Sequence, residues 1–428
     1  MELVHKPGRM SRRTSRLALG MTLPTVITVL AIVIFPLLAT FWISVKPIEL
    51  GDLRPVEASG REKFDRTEFA EFGEPGDEIE LEWFIKNSSR EFGITNVEMT
   101  DVVPAGIEVV SIDERCTITG EIIRCDLGDY EPAFKESLFM TVRALENFSK
   151  GEFDPKGSKP VLTGRASNPL VSQPFTLENF VKVFNTRDFT TILITTFVYT
   201  IGSTAGALLF GLFASLLLNS TFPGRGVFRG MMLVPYVAPV IAVAFTWLAL
   251  LDPTSGALNA LLVQMGAIEA PINFFGIRSA EFEILGLKMG FPVALATVIG
   301  FEAWRYFPLA FLFILARMQS IPQDMYEAAD MDGASPFQKF WALTIQQLIG
   351  VMSVLFLLRF IWTFNKFDDI FLLTGGNAGT QTLTVEVYKQ AFAISNLGAG
   401  AAVAVVIFFI LAAFSVIYFL SLPKDEGL

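Results

Sequence analysis

Long apolar stretches and one long polar block alternate along the 428-residue chain. A transmembrane helix needs about 20 predominantly apolar residues, and six stretches qualify. They cover residues 18–45, 190–218, 227–251, 290–316, 348–364 and 399–421. The polar block separates the first stretch from the second. The pattern predicts an all-α polytopic membrane protein with six transmembrane helices, divided as residues 1–46 (tail and first helix), 47–174 (insert) and 175–428 (five-helix core).

The insert has the two-residue period of β-strands. Apolar residues at 79, 81, 83 and 85 alternate with charged ones, as in a half-buried strand. Shorter apolar runs, separated by turn residues, follow at 97–99, 107–112, 122–125 and 138–142. Several short strands at such spacing favour a β-sandwich. Two roles are open for this domain: a rigid spacer, or a docking surface for a partner outside the membrane.

Basic residues indicate the orientation of the spans. The tail before the first span carries Arg12, Arg13 and Arg16, and the positive-inside rule assigns such a segment to the cytoplasm. Both termini are then cytoplasmic, and the insert is extracytoplasmic. The same arginines also fit a twin-arginine export signal. However, the apolar stretch of 28 residues is long for a signal peptide and has no small-residue cleavage site, so we interpret the arginines as anchors of the first helix.

The net charge of −10 arises in the insert, because residues 46–187 contain 27 acidic and 17 basic residues. Outside the N-terminal tail, the sequence has no basic stripe that could bind nucleic acid. The chain has one histidine, His5, and two cysteines, so histidine-based catalysis and His/Cys metal sites are nearly excluded by inventory. It also lacks the G-x-x-x-x-G-K-[S/T] pattern of phosphate-binding loops. We expect a chain that is not an enzyme and binds no metal or cofactor itself.

The two cysteines, Cys116 and Cys125, flank a predicted hairpin in the insert. An oxidising compartment favours a disulfide between them, and two independent buried thiols are the alternative. A loop this short gains little chain entropy from a bond. A disulfide would therefore staple the hairpin rather than hold the whole domain together.

The loop after the fourth apolar stretch has the pattern of a short helix. Pro322 and Asp324 suit its first turn. The Glu-Ala-Ala run at 327–329 favours helix, and Gly333 suits a left-handed cap at its end. Small side chains let such a helix lie close to another surface. The pattern predicts a helix that docks in a cleft of a cytoplasmic partner, or else an ordinary connector.

This loop resembles the E-A-A-x-x-x-G loop of permeases in binding-protein-dependent ATP-binding-cassette (ABC) transporters. The matching residues are Glu327, Ala328, Ala329 and Gly333. The resemblance implies that this segment, including Asp332, is a coupling helix that seats in a separate ATPase subunit. Gln346 stands where the family's closing I-x-L-P element has proline. This departure puts in doubt the family's bend before the fifth span, but not the loop.

Other segments resemble sugar permeases of the maltose-transporter type. They are residues 175–180, 256–259, 367–376 and 388–392. The resemblance implies half of an importer for a carbohydrate, of oligosaccharide or α-glucoside type, in the bacterial plasma (inner) membrane. Its implied partners are a sister permease, an ABC ATPase dimer that holds ATP and Mg²⁺, an extracytoplasmic solute-binding protein and the lipid bilayer. Within the insert, residues 96–106 and 125–128 resemble bacterial Ig-like surface domains.

Polar residues at membrane depth are costly unless they are functional or paired. The candidates for a sugar pathway in the fourth and fifth spans are Glu302, Arg305, Tyr306, Arg359, Trp362 and Asn365. The resemblance supports a pathway, since maltose-type permeases place sugar contacts on the same two helices. The alternative is structural pairing, with Glu302 and Arg305 as an i,i+3 pair and Arg359 bound to the sister subunit.

Two other functions are alternatives to the importer: a secondary solute transporter, and a membrane-anchored adhesion or sensor protein. Secondary transporters commonly contain inverted repeats with broken helices, and the sequence has no clear repeat. An adhesion protein is suggested by the insert, but it leaves the loop at Glu327 unexplained.

Overall fold

The structure is a computed structural model that describes residues 9–64, 66–149, 159–186, 188–284 and 287–421. His5 and the far C-terminal tail lie outside the described residues. The chain divides into two compact units. We call Met1–Val45 with Thr176–Leu428 the helical unit, and Lys46–Phe175 the β unit.

Helices are numbered in chain order. They are α1 (Arg9–Val29), α2 (Phe35–Ser44), α3 (Arg66–Glu71), α4 (Pro169–Ser172), α5 (Glu178–Asn185), α6 (Phe189–Asn219), α7 (Arg225–Met232), α8 (Val234–Val237), α9 (Val240–Leu250), α10 (Ala257–Gln264), α11 (Val293–Gln319), α12 (Gln323–Met331), α13 (Pro336–Lys339), α14 (Ile345–Phe364), α15 (Asp368–Thr374), α16 (Leu383–Tyr388) and α17 (Leu397–Ser421). Wider π-helical turns lie at Leu30–Ile34, Phe340–Thr344 and Lys389–Ala393, and a 3₁₀ turn lies at Leu50–Leu53.

Within the described residues, five continuous helices are long and apolar enough to cross a membrane. They are Leu17–Ser44, Phe189–Asn219, Val293–Gln319, Pro336–Phe364 and Leu397–Ser421. Each overlaps one of the six predicted apolar stretches. The prediction of a mostly helical polytopic membrane protein is therefore confirmed.

The third predicted span, residues 227–251, is not one helix, and in this respect the prediction was wrong. Arg225–Val237 and Val240–Leu250 meet at a bend of 93°. Pro239 explains the break, because proline disfavours the helical conformation of the residue before it. Ala238 accordingly has extended backbone angles, with φ −64° and ψ 141°.

The fifth span is longer than predicted. Its helix begins at Pro336, passes through the π-helical turn Phe340–Thr344 and continues to Phe364. Gln346 lies inside the helical run and causes no break there. Glutamine at position 346 keeps a backbone N–H that can join the hydrogen-bond ladder of the helix, which proline could not do.

Close packing of α6 against α11 organises the helical unit. A Cβ built on Gly206 would lie 2.8 Å from the Cβ of Ala303. One built on Gly211 would lie 2.7 Å from the Ala310 Cβ and 2.8 Å from the backbone nitrogen of Phe311. Glycine at these positions lets the two backbones touch, as small residues commonly do between membrane helices.

The described part of the β unit forms two antiparallel four-stranded sheets. The strands are β1 (Ala58–Phe64), β2 (Glu78–Asn87), β3 (Ile94–Val102), β4 (Ile107–Ile112), β5 (Cys116–Thr119), β6 (Ile122–Tyr130), β7 (Lys135–Ala144) and β8 (Val161–Ala166). One sheet has the order β1-β2-β7-β4 and the other β5-β6-β3-β8. In the helical unit, β9 (Ala280–Ile284) pairs with β10 (Leu287–Phe291).

Both sheets contribute to one apolar core. Leu81, Trp83 and Ile85 of β2 are fully buried, as the two-residue period predicted, and they pack with Met99 of β3 and Leu138 of β7. All five strands predicted from sequence are present, although most are longer. Strands β1, β5 and β8 were not predicted, and all three lie at sheet edges.

The β unit contains a group of hydrogen-bonded side chains around Trp83 and a disulfide. The indole nitrogen of Trp83 donates hydrogen bonds to Glu62 Oε1 at 3.1 Å and Asp101 Oδ2 at 2.9 Å. Burial, together with the nearby Asp101 carboxylate, raises the pKa of Glu62 to about 8. Cys116 and Cys125 stand opposite each other on β5 and β6 and form a disulfide, so the bond joins neighbouring strands of one hairpin.

Candidate functional site

A cluster of ionised side chains is buried inside the helical unit, between α11, α14 and α15. Arg359 Nη2 of α14 donates a hydrogen bond of 2.8 Å to Glu302 Oε1 of α11. The two side chains are 2% and 0% exposed. The carboxylate of Glu302 thus meets the facing helix and not Arg305, so the i,i+3 pair of the pairing alternative is not formed. Arg359 has its carboxylate partner within this chain.

Arg305 has a different partner, which the sequence did not reveal. Its Nη1 lies 2.8 Å from Oδ1 of Asp369, the second residue of α15, and the Asp369 side chain is fully buried. Lys366 Nζ lies 3.6 Å from the other oxygen of Asp369 and 3.3 Å from Asp368. The sequence signal for Asp369 was the acidic pair at 368–369, which lies within the segment 367–376 that resembles sugar permeases.

Tyr306 lies at the centre of this cluster. Lys366 Nζ donates to its hydroxyl at 2.5 Å, and Arg305 Nη1 does so at 3.1 Å. The Arg359 guanidinium lies 4.2 Å from the centre of the ring, a cation–π distance. Tyr236 of α8 packs its ring edge-on against Tyr306, with 5.8 Å between ring centres.

We call this group of Glu302, Arg305, Tyr306, Arg359, Lys366 and Asp369 the charged cluster. Three of its members are cations and two are carboxylates, and Asp368 at the edge supplies a third negative charge. Positive and negative charges therefore balance. Pairing on this scale is what an environment at membrane depth requires, because an unpaired charge there is costly.

Four of the six predicted pathway residues belong to the charged cluster, and two do not. Trp362 is 49% exposed. Asn365 donates to the carbonyl of Ile361 at 3.0 Å and lines a cavity of about 360 Å³ together with Thr384 and Tyr388. Within the described ranges, neither Trp362 nor Asn365 joins the charged cluster through a hydrogen bond, ion pair or ring contact.

The second candidate site is the loop between α11 and α14. The predicted short helix is α12, Pro322 precedes it, and Gly333 follows with a left-handed φ of +75°. Glycine adopts that conformation at little cost. Glu327, Ala328 and Asp332 are exposed and Ala329 is half-buried. Met331, at the helix end, is 88% exposed.

The loop is held in place by contacts to the start of the fifth span. Lys339 Nζ forms an ion pair of 2.5 Å with Asp330. The hydroxyls of Tyr326 and Thr344 are hydrogen-bonded at 2.9 Å, which joins α12 to the π-helical turn. A reciprocal capping pair of Ser335 and Gln338 starts α13. The exposed face of α12 is therefore presented by a well-connected loop.

Comparison with known proteins adds to this geometry. Residues 207–424 match the family described as "Binding-protein-dependent transport system inner membrane component", which is half of the chain. The chain is 33% identical over 251 residues to the trehalose/maltose transport system permease protein MalF of Thermococcus litoralis, covering 58% of this chain and 80% of that protein. It is likewise 33% identical over 249 residues to the inner membrane ABC transporter permease protein YcjO of Escherichia coli, covering 58% and 79%.

A solved bacterial ABC transporter involved in the import of the acidic polysaccharide alginate has a similar fold. The TM-score is 0.51 at 18% sequence identity, over 59% of this chain and 86% of that chain. This likeness concerns the fold alone. The family match leaves the adhesion and secondary-transporter alternatives without support. The chain belongs to the family of inner membrane components of binding-protein-dependent transport systems, and it is an ABC transporter permease.

Proposed function

We propose that this chain forms half of the translocation pathway of an ATP-driven carbohydrate importer, with a sister permease as the other half. The observation that carries the proposal is that one helical unit contains both a buried charged cluster and an exposed, firmly held helix, α12. The first suits passage of a polar solute, and the second suits a mechanical contact. A system of this kind also needs an extracytoplasmic solute-binding protein, which the family description supports.

We further propose that α12 couples the permease to a separate ABC ATPase dimer. Glu327, Ala328, Ala329, Asp332 and Gly333 form the coupling segment. Its exposed acidic residues and the exposed Met331 offer charge and apolar surface to a groove, while the small alanines permit close approach. ATP and Mg²⁺ are bound by the partner, and ATP hydrolysis is the partner's reaction.

For the pathway, we propose Glu302, Arg305, Tyr306, Arg359, Trp362 and Asn365 as residues that face the solute during transport. The charges of the charged cluster are balanced once Asp368 at its edge is included. The cluster therefore favours an uncharged solute with hydroxyl groups over an ion. The similarity to a trehalose/maltose permease supports an oligosaccharide or α-glucoside.

We also propose an orientation in the plasma (inner) membrane. The termini and α12 are cytoplasmic, the bent pair Arg225–Val237 and Val240–Leu250 counts as one of six spans, and the β unit is an extracytoplasmic β-sandwich. The two sheets with one common core support the sandwich. The disulfide supports the oxidising side. The resemblance of this unit to Ig-like domains stays a prediction.

The test is ATP-dependent uptake of labelled maltose and trehalose by proteoliposomes that contain the complex purified with its partners. Glu327→Lys is expected to reduce both uptake and co-purification of the ATPase at least tenfold. Glu269→Lys, at an exposed position outside α12, is the matched control and should retain both. Uptake that persists without any ATPase would overturn the proposal. If neither sugar is taken up in an ATP-dependent manner, the proposed substrate class is rejected. The proposed coupling of α12 to the ATPase is then left intact.

A further inference from the structure

An apolar cavity lies between α6, α7 and α11 of the helical unit. Its volume is about 490 Å³, and its ten lining residues are all aliphatic, aromatic or methionine. Three of those on α6, Phe210, Phe213 and Leu217, are at least half exposed. The cavity therefore opens at the surface of the helical unit, and it is lined for an apolar occupant.

The cavity lies on the side of α11 that faces away from the charged cluster. Successive residues of an α-helix are about 100° apart around its axis. Trp304 and Phe307 line the cavity, and this spacing places them on the face of α11 opposite Glu302 and Tyr306. An apolar lining would also leave the hydroxyl groups of a sugar without hydrogen bonds. The cavity is therefore separate from the proposed solute pathway, and its lining suits lipid hydrocarbon.

Two arginines of α7 lie beside this cavity. Phe228 and Met232 of the same helix line it. Arg225 and Arg229 precede them by three residues each, which places both arginines on the same side of the helix as the lining residues. Arg229 donates to the carbonyl of Leu218 from Nε at 3.3 Å and from Nη2 at 2.7 Å. Since Leu218 also lines the cavity, the guanidinium of Arg229 is fixed at the rim.

These two positive charges have no acidic partner nearby. The sequence contains no acidic residue between positions 189 and 251, and neither arginine forms an ion pair with any residue that the structure describes. An arginine has five N–H donors, and the Leu218 carbonyl engages two of those of Arg229. The remaining donors suit the forked recognition of phosphate oxygens.

The dimensions of the cavity fit one leaflet of a bilayer. From Phe210 to Leu218, α6 rises by about 12 Å, which is close to half of the hydrocarbon thickness of a bilayer, about 15 Å. The arginines lie at the Leu218 end. In the proposed orientation that end is cytoplasmic, where anionic lipids attract basic residues.

An apolar cavity with cations at one end matches the chemistry of a lipid with an anionic headgroup. We propose that this cavity binds an acyl chain of an anionic phospholipid, and that Arg225 and Arg229 hold its phosphate. A helix of a partner subunit is the competing occupant. It would fill the apolar part but would need an acidic residue at the level of the two arginines. Only the assignment to the cytoplasmic leaflet rests on the proposed function.

The test is photolabelling of the complex, purified with its partners, in nanodiscs that contain a phospholipid with a diazirine near the end of one acyl chain. The probe is phosphatidylglycerol in one sample and phosphatidylcholine in the other, at equal mole fraction. Mass spectrometry should find label on residues 210–218 and 304–307. Labelling by phosphatidylglycerol should be at least about fivefold stronger, because each arginine near an anionic headgroup favours binding by about that factor.

Variants then assign the preference to the arginines. The double variant Arg225→Gln, Arg229→Gln should be labelled equally by both probes, and its labelling by phosphatidylcholine shows that its cavity is intact. Lys182→Gln removes an exposed cation of α5 and is the matched control, which should keep the preference.

Two results in the unaltered complex would overturn the proposal, and neither depends on a variant. Equal labelling by the two probes would mean that the cavity does not select an anionic lipid. Absence of label from the cavity with both probes would mean that a partner subunit fills it. Because the experiment measures no transport, its outcome is independent of the proposed substrate.

Discussion

Removal of one partner from the buried pair of Arg359 and Glu302 should be costly. Arg359→Met takes away the cation at 2.8 Å and leaves Glu302 Oε1 with the Thr363 hydroxyl at 3.4 Å. Both members of the pair are almost completely buried, so water cannot replace the guanidinium freely. Breaking a buried pair in this way costs about 3–5 kcal/mol. Glu302→Gln leaves the Arg359 guanidinium without its carboxylate partner and should lower the free energy of unfolding by about 3 kcal/mol by the same reasoning.

The double variant, with both substitutions, should be much less damaging than the sum of the two. It buries no net charge, and replacement of a buried ion pair by neutral groups is often nearly neutral. The expected coupling free energy between positions 302 and 359 is at least about 2 kcal/mol.

The assay is reversible unfolding of the full-length chain in mixed micelles, titrated with denaturing detergent. Val354→Ala on the same helix, at a side chain that is 64% exposed, is the matched control and should change stability by no more than about 0.5 kcal/mol. Additive costs in the double variant would refute the reasoning, since they would mean that the two side chains contribute independently.

Three further predictions follow from other parts of the chain. The folded β unit should lose stability as pH rises from about 4.5 to about 8, because the folded state keeps the Glu62 proton that the unfolded chain releases. Glu62→Gln should flatten this pH dependence, as measured by hydrogen exchange of residues 78–87. Gly211→Leu should lower stability by about 2 kcal/mol or more in the detergent titration, because its Cβ would lie 2.8 Å from the Phe311 nitrogen. Replacing Cys116 and Cys125 with serine should cost the β unit about 2–3 kcal/mol, measured by hydrogen exchange with and without reductant.

Each of these predictions has its own control. Glu80→Gln, at an exposed position of β2, should leave the pH dependence of the stability of the β unit intact. The same slope of stability against pH in Glu62→Gln and in the unaltered chain would contradict the prediction for Glu62. Gly226→Leu has open space for a Cβ and should cost less than Gly211→Leu. Reductant should not change the stability of the double serine variant, and a β unit whose exchange is unaffected by losing the disulfide would contradict the third.

Hydropathy and periodicity located most elements, because both are local properties of the sequence. The apolar stretches became helices, and the alternation at 79–85 became the buried face of β2. Strands β1, β5 and β8 were missed since they are edge strands with little apolar alternation, and pairing with β2, β6 and β3, respectively, stabilises them. The break at Pro239 was available from the sequence, but the long apolar run obscured it.

The charged cluster could be predicted only in part. The sequence pointed to Glu302, Arg305 and Arg359, because ionisable residues in apolar stretches stand out. The sequence could not show which of these residues form ion pairs. Arg305 contacts Asp369, which is 64 positions away along the chain, and Glu302 contacts Arg359, which is 57 positions away. Such contacts depend on how helices cross, and a single sequence does not contain that information.

The continuous helix from Pro336 to Phe364 has a mechanical consequence. It is 29 residues long, and Arg359 lies 23 residues from its first residue, which corresponds to about 35 Å. The hydrogen bond between Tyr326 and Thr344 fastens α12 near the other end. A tilt of about 5° about that end would displace Arg359 by about 3 Å, as far as the whole 2.8 Å separation from Glu302. A small tilt at the α12 end of this helix would therefore be enough to separate Arg359 from Glu302.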